Sequence, residues 1–549
     1  MKKQHILAAL LTAFLLPGLL LTGPTAAATD DLGQVLRIGI KFGSGTMPGA
    51  NLLNRSGNGY QFGYFDSSHN FVSLGHTEEK AISTVKTQNL RYNGRNYAGD
   101  GTGVMVGCYH IGVAEGFSSF EQAKAVANQY ANGFVAYIRG NYQVRVGNYA
   151  SNADANAALA NIPNGSIVGT SAYGVSVVVT GTNTILFQYD SGDETGFGIR
   201  PDSSGDPYAI TWFADYSYYG AFRYTRIGGG DLTVVNMVPL ELYVRGIVPY
   251  EMSNSWPLEA LKAQAVCART YAVRNVGLSK HRSSGFDLCT TTCCQAYRGT
   301  GLANAHSDSA VIETAGEFVM YNDSYAETYY FSSSGGATED VRNVWNPNGN
   351  LPYLLGIYDP YETSYADKIP GYRYTVTYTK SELQEIVRKQ GGNCGEVVNF
   401  FVAEFTPTGN VKTVTIVDAS GKRFSYSRDN VRILFPGIRS LRYTVSGGSS
   451  SSYFVNQGEM LGSVNGTYVI SGSGSISQIG AGNPHVITAS GTEQLAPVTT
   501  TTGNTFTVTG AGYGHNVGMS QYGARAMADQ GLTYRDIITF YYTDVRVGN

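Results

Sequence analysis

One glutamate stands in a setting suited to proton transfer. The word Val248-Pro249-Tyr250-Glu251-Met252 surrounds the Glu251 carboxyl with apolar and aromatic neighbours, just ahead of an alanine-rich run from Ser255 to Ala272. A carboxyl kept dry holds its proton toward neutral pH and can then donate it to the leaving oxygen of a sugar linkage. A wet carboxylate near a helix start is instead stabilised as the anion by about 0.3–1 kcal/mol. Spacing alone leaves both roles open, proton donor or helix-entry residue held by backbone N–H groups. A second group of residues suits a metal: His281, Cys289, Cys293 and Cys294 offer four soft or borderline donors within fourteen positions, a set that fits tetrahedral zinc in a structural role. Pairing of a cluster thiol with Cys394 or Cys267 is the competing reading, while Cys108 and Cys267 sit in apolar contexts that suit buried small hydrophobes.

The elements that must carry these residues are legible in part. Ser255 as a cap, Pro257 in the first turn and the stripe Leu258, Leu261, Ala265, Ala268 and Ala272 predict a helix, closely packed because so many of its residues are alanine. Glu251 then lies one turn before it, on a chain reversal. Near the C-terminus Gly510, Gly512, Gly514, Gly518 and Gly523 match no nucleotide-binding word and read as turns with close backbone approach. His515, Ser520, Gln521 and Tyr522 there could present hydrogen-bonding groups and an aromatic face to a substrate, and Arg269 and Tyr271 on the alanine-rich helix beside Lys262 are candidates for substrate contacts or for orienting Glu251. Met519 to Asp529 reads as a helix stopped at Gly531, and Thr533-Tyr534-Arg535-Asp536 as a capping box for a last helix.

Composition bounds the class. With 549 residues the chain is long enough for roughly two to four domains. Lys+Arg 38 against Asp+Glu 41 leaves a net charge of −3 and no cationic excess for nucleic acid. Gly 68, Tyr 40 and only 14% charged residues mark a turn-rich, strand-rich chain and exclude a coiled coil or helical bundle. Lys2 and Lys3, an apolar run from Ile6 to Leu21 and Ala26-Ala27-Ala28 form the pattern of a signal peptide over residues 1–28, so the expected location is secreted or extracytoplasmic. A membrane contact is expected only if that run stays uncleaved. Gly447 to Ser452 and Thr499 to Thr502 read as exposed loops or linkers.

Residues 34–100 read as strands. An internal repeat follows: Val106-Gly107-Cys108-Tyr109 with a helix from Ser119 to Ala127 is echoed by Val146-Gly147-Asn148-Tyr149 with a helix from Ser151 to Ala160. Strands at Phe134 to Ile138, at Tyr142 to Val146 and from Ile167 complete a β-α-β-β-α-β order, which predicts a small closed ferredoxin-like sheet with both helices on one face. The words Tyr142-Gln143-Val144-Arg145-Val146-Gly147-Asn148-Tyr149 and Asp154-Ala155-Asn156-Ala157-Ala158-Leu159 resemble the SPOR domain over residues 103–180. That resemblance implies binding of peptidoglycan glycan strands stripped of stem peptides.

The segment Val248 to Ala272 is similar to the stage II sporulation protein D family. So are Gly512-Tyr513-Gly514-His515-Asn516-Val517-Gly518-Met519-Ser520-Gln521-Tyr522-Gly523-Ala524, Tyr330 to Thr338, Val344-Trp345 and Pro352-Tyr353-Leu354. The resemblance spans residues 34 to 90 and 185 to 549 and implies an α+β, mainly β catalytic domain with several helices, carrying the SPOR-like unit as an insertion. It further implies a lytic transglycosylase that cleaves between N-acetylmuramic acid and N-acetylglucosamine, with Glu251 as the sole acid/base. Some members are instead enhancers of a cell-wall amidase, which makes a noncatalytic wall-binding protein the alternative. A hydrolase would need a second carboxylate, and Glu241, Glu259, Glu339 and Asp340 are the available ones. The resemblance also implies zinc held by His and Cys in the segment ending Cys294-Gln295-Ala296-Tyr297. The family pattern has His before the last Cys, where this chain has Cys293. A zinc-dependent hydrolase ranks last, because four protein ligands leave no open coordination position.

Overall fold

The computed structural model describes residues 33–203, 208–278, 280–291, 293–345, 351–447 and 503–549, with short strands between 453 and 494. The expected signal peptide, most of the Gly447 to Ser452 loop and the Thr499 to Thr502 run lie outside the described residues. Gly33–Asn549 forms one unit, mainly strands with several helices.

Two large sheets dominate. In the first, the order is Leu288–Cys289, Val35–Lys41, Thr233–Pro239, Ala221–Thr225, Phe197–Pro201, Tyr60–Phe65 and Phe71–Thr77, so strands from before residue 80 interleave with strands from after residue 190. Val35–Lys41 shows why: its alternating Leu36 and Ile38 are fully buried while Arg37 and Lys41 reach outward, the period of a half-buried strand. Arg37 closes this sheet on Asp287, with its backbone N–H 2.9 Å from Oδ2 and its guanidinium on both oxygens.

The repeat supplies four strands and two helices. Helix α1 (Phe120–Ala127) and helix α2 (Asn152–Leu159) begin at Ser119 and Ser151, whose hydroxyls accept the N–H groups of Gln122 at 3.3 Å and Asp154 at 3.1 Å. These caps satisfy N–H groups that no helical carbonyl can reach. The strands lie in the order Ser166–Val168, Tyr109–Phe117, Asn141–Tyr149 and Gly133–Ile138, each antiparallel to its neighbour. The expectation of a small closed sheet is corrected here. Gly133–Ile138 pairs in parallel with Ile185–Asp190, and the sheet runs on to ten strands ending at Tyr216–Tyr219. An apolar edge, Phe134-Val135-Ala136, would otherwise present unpaired backbone to water, and pairing removes it.

His110, fully buried, stitches this seam. Its Nδ1–H donates to Gly147 O at 2.7 Å and its Nε2 accepts from Gln188 Nε2 at 3.0 Å, while Gln188 Oε1 takes Arg145 Nη1 at 2.6 Å. Burial pushes the imidazole pKa down to about 4.

The C-terminal third adds Arg373–Thr379, Thr505–Ala511 and Tyr443–Gly447 as a three-stranded sheet. Beyond it Met519–Ser520 pairs in parallel with Tyr330–Phe331, and the helix Gln521–Asp529 follows. The expected helix from Met519 thus starts two residues later. The last helix, Tyr534–Tyr541, carries the expected capping box between Thr533 and Asp536.

Because His110 is depressed in the folded state against an ordinary value near 6.5, the folded protein binds fewer protons than the unfolded one as pH falls. Its contribution is intact above about pH 6.5 and is lost downward, costing about 2 kcal/mol at about pH 5. Thermal unfolding at pH 7.5 and 5 is expected to show that loss, and H110Q to flatten the slope by a comparable amount. An unchanged slope in H110Q would refute the assignment.

Candidate functional site

Glu251 does not sit on a chain reversal. It is the last residue of helix α3 (Leu240–Glu251), whose residues from Leu240 to Pro249 are all buried. Its charged residues Glu241 and Arg245 are buried along with the apolar ones, so no solvent-facing stripe marks the helix, and Pro249 argued for a break, so the sequence pattern hid it. The proline is tolerated because it falls in the final turn. Helix α4 (Leu258–Leu278) follows as expected, with Ala260, Leu261, Ala265, Ala268 and Ala272 fully buried. Placing Glu251 at the end of a helix also reverses the sign of the backbone field: the negative end of the dipole opposes the anion.

The carboxyl is half-buried and doubly held. Ala296 N–H donates to Oε1 at 3.1 Å and Gln521 Nε2 to Oε2 at 3.2 Å, with the Tyr330 hydroxyl as a third partner. Burial raises the Glu251 pKa, and these three donors hold the rise in check. Gln521 leans on Gln264 at 3.4 Å, and Gln295 links the hydroxyls of Tyr243 and Tyr330, both at 3.1 Å. No role was assigned from sequence to Ala296, Gln264, Gln295 or Tyr330. A backbone N–H carries no residue signature, and the other three reach the acid only through tertiary packing.

The remaining candidates divide. Gln521 touches Glu251, and Tyr522, which lines a cavity, packs on Trp256 with ring centroids 4.8 Å apart. His515 lies among Tyr329, Phe331 and Trp345, its Nδ1 accepting Val517 N–H at 3.2 Å, and burial holds it neutral with a pKa down to about 4. Three expectations of sugar contact are corrected. Arg269 is 0% exposed and bidentate to Glu241, both contacts 2.7 Å. Tyr271 is buried against Tyr329. The Ser520 hydroxyl is buried too, capping its helix at Gly523 N and donating to Glu362.

The four acids that could have joined Glu251 are committed elsewhere. Glu241 holds Arg269, and Glu259 takes Lys262 and the N–H of Tyr534, each at 2.8 Å. Asp340 pairs with Arg342. Glu339 is buried among Thr406, Thr408 and Asn410.

The cysteine cluster converges. His281, Cys289, Cys293 and Cys294 bring their donor atoms within 4.8 Å of one another, and Cys294 Sγ lies 3.4 Å from His281 Nε2. Three thiols and an imidazole at these separations fit a tetrahedral zinc, whose bonds of about 2.0–2.3 Å place neighbouring ligands roughly 3.3–3.8 Å apart. All six cysteines are free thiols, so the disulfide reading is corrected; Cys267 is buried as expected but Cys108 only half so. Two elements fix the cluster: Leu288–Cys289 runs parallel to Val35–Lys41, and the His281 ring stacks on Phe286, which itself presses on Gly39. A Cβ at Gly39 would lie 2.6 Å from that ring. The chain leaves Cys294 and two residues later presents the Ala296 N–H to Glu251.

This site falls within and beside the region matched by a known family. Residues 228–321 match the model of the stage II sporulation protein family. The chain is 30% identical over 303 residues to the amidase enhancer of Bacillus subtilis, spanning 39% of that protein and 54% of this chain. It is 29% identical over 331 residues to an uncharacterized protein of Brachyspira hyodysenteriae, 60% of this chain and 72% of the relative. It is 28% identical over 330 residues to stage II sporulation protein D of Bacillus subtilis, 57% of this chain and 75% of the relative. Residues 228–321 thus carry a stage II sporulation protein family region, and the similarity to stage II sporulation protein D and to the amidase enhancer supports that family.

Removing Arg269 alone strands the Glu241 carboxylate in the interior. R269A is expected to lose about 3–5 kcal/mol in denaturant unfolding. A variant as stable as the parent that fails only in sugar binding would return Arg269 to the substrate-contact role.

Proposed function

We propose that this protein is an extracytoplasmic peptidoglycan lytic transglycosylase acting on glycan strands that have lost their stem peptides. The observation that carries the reading is Glu251: a carboxyl raised by burial and held by Ala296 and Gln521, with Glu241, Glu259, Glu339 and Asp340 engaged elsewhere. One carboxyl suffices when the sugar supplies its own nucleophile. Glu251 protonates the oxygen linking N-acetylmuramic acid to N-acetylglucosamine, and the bond from C1 to that oxygen breaks. The muramic C6 hydroxyl attacks C1, and the Glu251 carboxylate takes the proton that hydroxyl releases. No water is consumed and a 1,6-anhydro end results.

The repeat at residues 103–180 serves in this reading as an inserted SPOR-like domain that grips the same polymer, raising the local concentration of scissile bonds. His281, Cys289, Cys293 and Cys294 hold a structural zinc, which supplies rigidity to the loop bearing Ala296 rather than a reactive water. The second reading, a noncatalytic partner of a cell-wall amidase, is favoured by the similarity to the Bacillus subtilis amidase enhancer.

Incubation of the protein with stem-peptide-free strands is expected to yield fragments ending in anhydro sugars by mass spectrometry, and E251Q to lower the rate by about 10²–10⁴-fold. The rate is expected to fall as pH rises through the raised Glu251 pKa, because the proton to be donated is then gone. Intact strands together with undiminished stimulation of an amidase by E251Q would establish the accessory role. For the metal, one zinc per chain is expected by elemental analysis, with a lower melting temperature after chelation and no zinc in C289S/C294S; zinc-free protein of undiminished stability would refute it.

A further inference from the structure

Two adjoining cavities share Tyr372, and their lining is cationic and aromatic. Gln521 touches Glu251, and the next residue, Tyr522, lines a cavity of about 210 Å³ together with Ser332, Tyr372, Arg439 and Tyr513. Tyr372 also lines the adjoining cavity of about 840 Å³, whose wall includes Gly336, Tyr358, Arg373, Phe405 and Arg442. That volume is within the range of sites that enclose organic ligands. Three large aromatic side chains stand exposed along the two cavities, Tyr358 at 63% and Phe405 at 47% in the larger and Tyr513 at 59% in the smaller. Exposed rings beside a concave surface offer flat apolar faces to a ligand that is itself partly apolar on one face, as a pyranose is.

The charges differ in what they face. Arg373 and Arg439 are exposed, Arg442 is half-buried with Nη1 2.8 Å from Thr408 O, and none of the three pairs with a carboxylate among the described residues. Asp359 is the acidic residue of the larger wall, and it is fully buried, accepting from the Tyr541 hydroxyl at 2.7 Å and the Ser334 hydroxyl at 3.3 Å. Glu362 behind it takes the Ser333 hydroxyl and the N–H groups of Ser334 and Gly335 at 2.7–2.8 Å. Negative charge is therefore satisfied inside the wall, while three guanidinium groups face the groove. A guanidinium matches a planar carboxylate with two parallel donors. Gly335 and Gly336, both at positive φ (67° and 111°), let the backbone form the floor without side chains filling it.

We propose that this groove is a set of subsites for a polysaccharide whose alternate sugars bear a free carboxylate, with Arg373, Arg439 and Arg442 receiving the acid groups and Tyr358, Phe405 and Tyr513 seating the ring faces. The inference rests on the glycan reading of the preceding subsection and deepens it. In a strand stripped of its stem peptides each muramic sugar carries a carboxylate directly on its lactyl group, whereas an attached peptide turns that group into an amide and places any carboxylate farther from the ring. Arginine in the groove thus selects stripped strands by where the carboxylate sits.

The test uses the full chain carrying E251Q, so that binding is read without cleavage, and two probes of equal length: stem-peptide-free strands and neutral N-acetylglucosamine oligomers. The acidic strand is expected to bind about tenfold tighter or more, the order of one charge-assisted contact. That preference is expected to shrink with added salt and to fall toward unity in R373Q/R439Q. Both side chains are exposed, so the melting temperature of the double variant is expected to match its parent. Equal affinity for the two probes, or a preference that survives in R373Q/R439Q, overturns the proposal. Failure of the transglycosylase reading is separate: it shows as an absence of anhydro ends from the parent protein, whatever the charge preference.

Discussion

A carboxyl group withheld from water at the end of a helix is the constraint around which this molecule is arranged. Two effects favour the protonated form of Glu251, desolvation and the negative end of the α3 dipole. Three hydrogen bonds to it, from Ala296, Gln521 and Tyr330, favour the anion. The proton transfer proposed for Glu251 requires a group able to hold both states. Complete burial without donors would trap the acid, and full exposure would leave it permanently ionised. Half-burial with a fixed number of donors lies between these limits.

Each donor arrives from a different part of the chain, which explains the investment in scaffold. Ala296 is delivered by the loop that leaves the cysteine cluster, itself tied to the first sheet through Leu288–Cys289 and the Phe286–Gly39 contact. Gln521 is delivered by the glycine-rich tail, registered by the parallel pairing of Met519–Ser520 with Tyr330–Phe331. Helix α4 lies between, supplying Gln264 and, through Arg269, the ion pair with Glu241 that holds α3 against it. Ser520 links the tail to the buried acids Glu362 and Asp359, the pair that closes the groove wall from behind. Asp359 is pushed up to about 6 by burial and by the neighbouring Glu362 charge. Ionic and hydrogen-bonded groups in this interior serve chiefly to fix the register of segments far apart in sequence.

The extent of the family match agrees with this division of labour. The matched region, residues 228–321, holds α3, α4 and the cysteine loop, whereas Gln521 and the aromatic groove come from outside it. The repeat between residues 103 and 180 is equally outside the match, and its strands merge into a ten-stranded sheet through Ile185–Asp190.

What could be read directly from the sequence were features whose physics is local. Ser119, Ser151 and Thr533 cap their helices because the hydroxyl and the N–H it accepts lie three residues apart. The alternation in Val35–Lys41, the alanine stripe of α4, the spacing of His281 with the three cysteines, and the Glu251 word are of the same kind. Tertiary structure alone decided the rest. Helix α3 is invisible to periodicity because it is buried on all sides, and with it the sign of the field at Glu251. Arg269 looked like a substrate ligand until its partner Glu241, twenty-eight residues away in the chain, was placed beside it. The small sheet of the repeat could not be known to be open, since edge pairing depends on a strand beyond the repeat. An acid's role is set by how much water reaches it and which donors face it, and both are properties of packing between segments hundreds of residues apart.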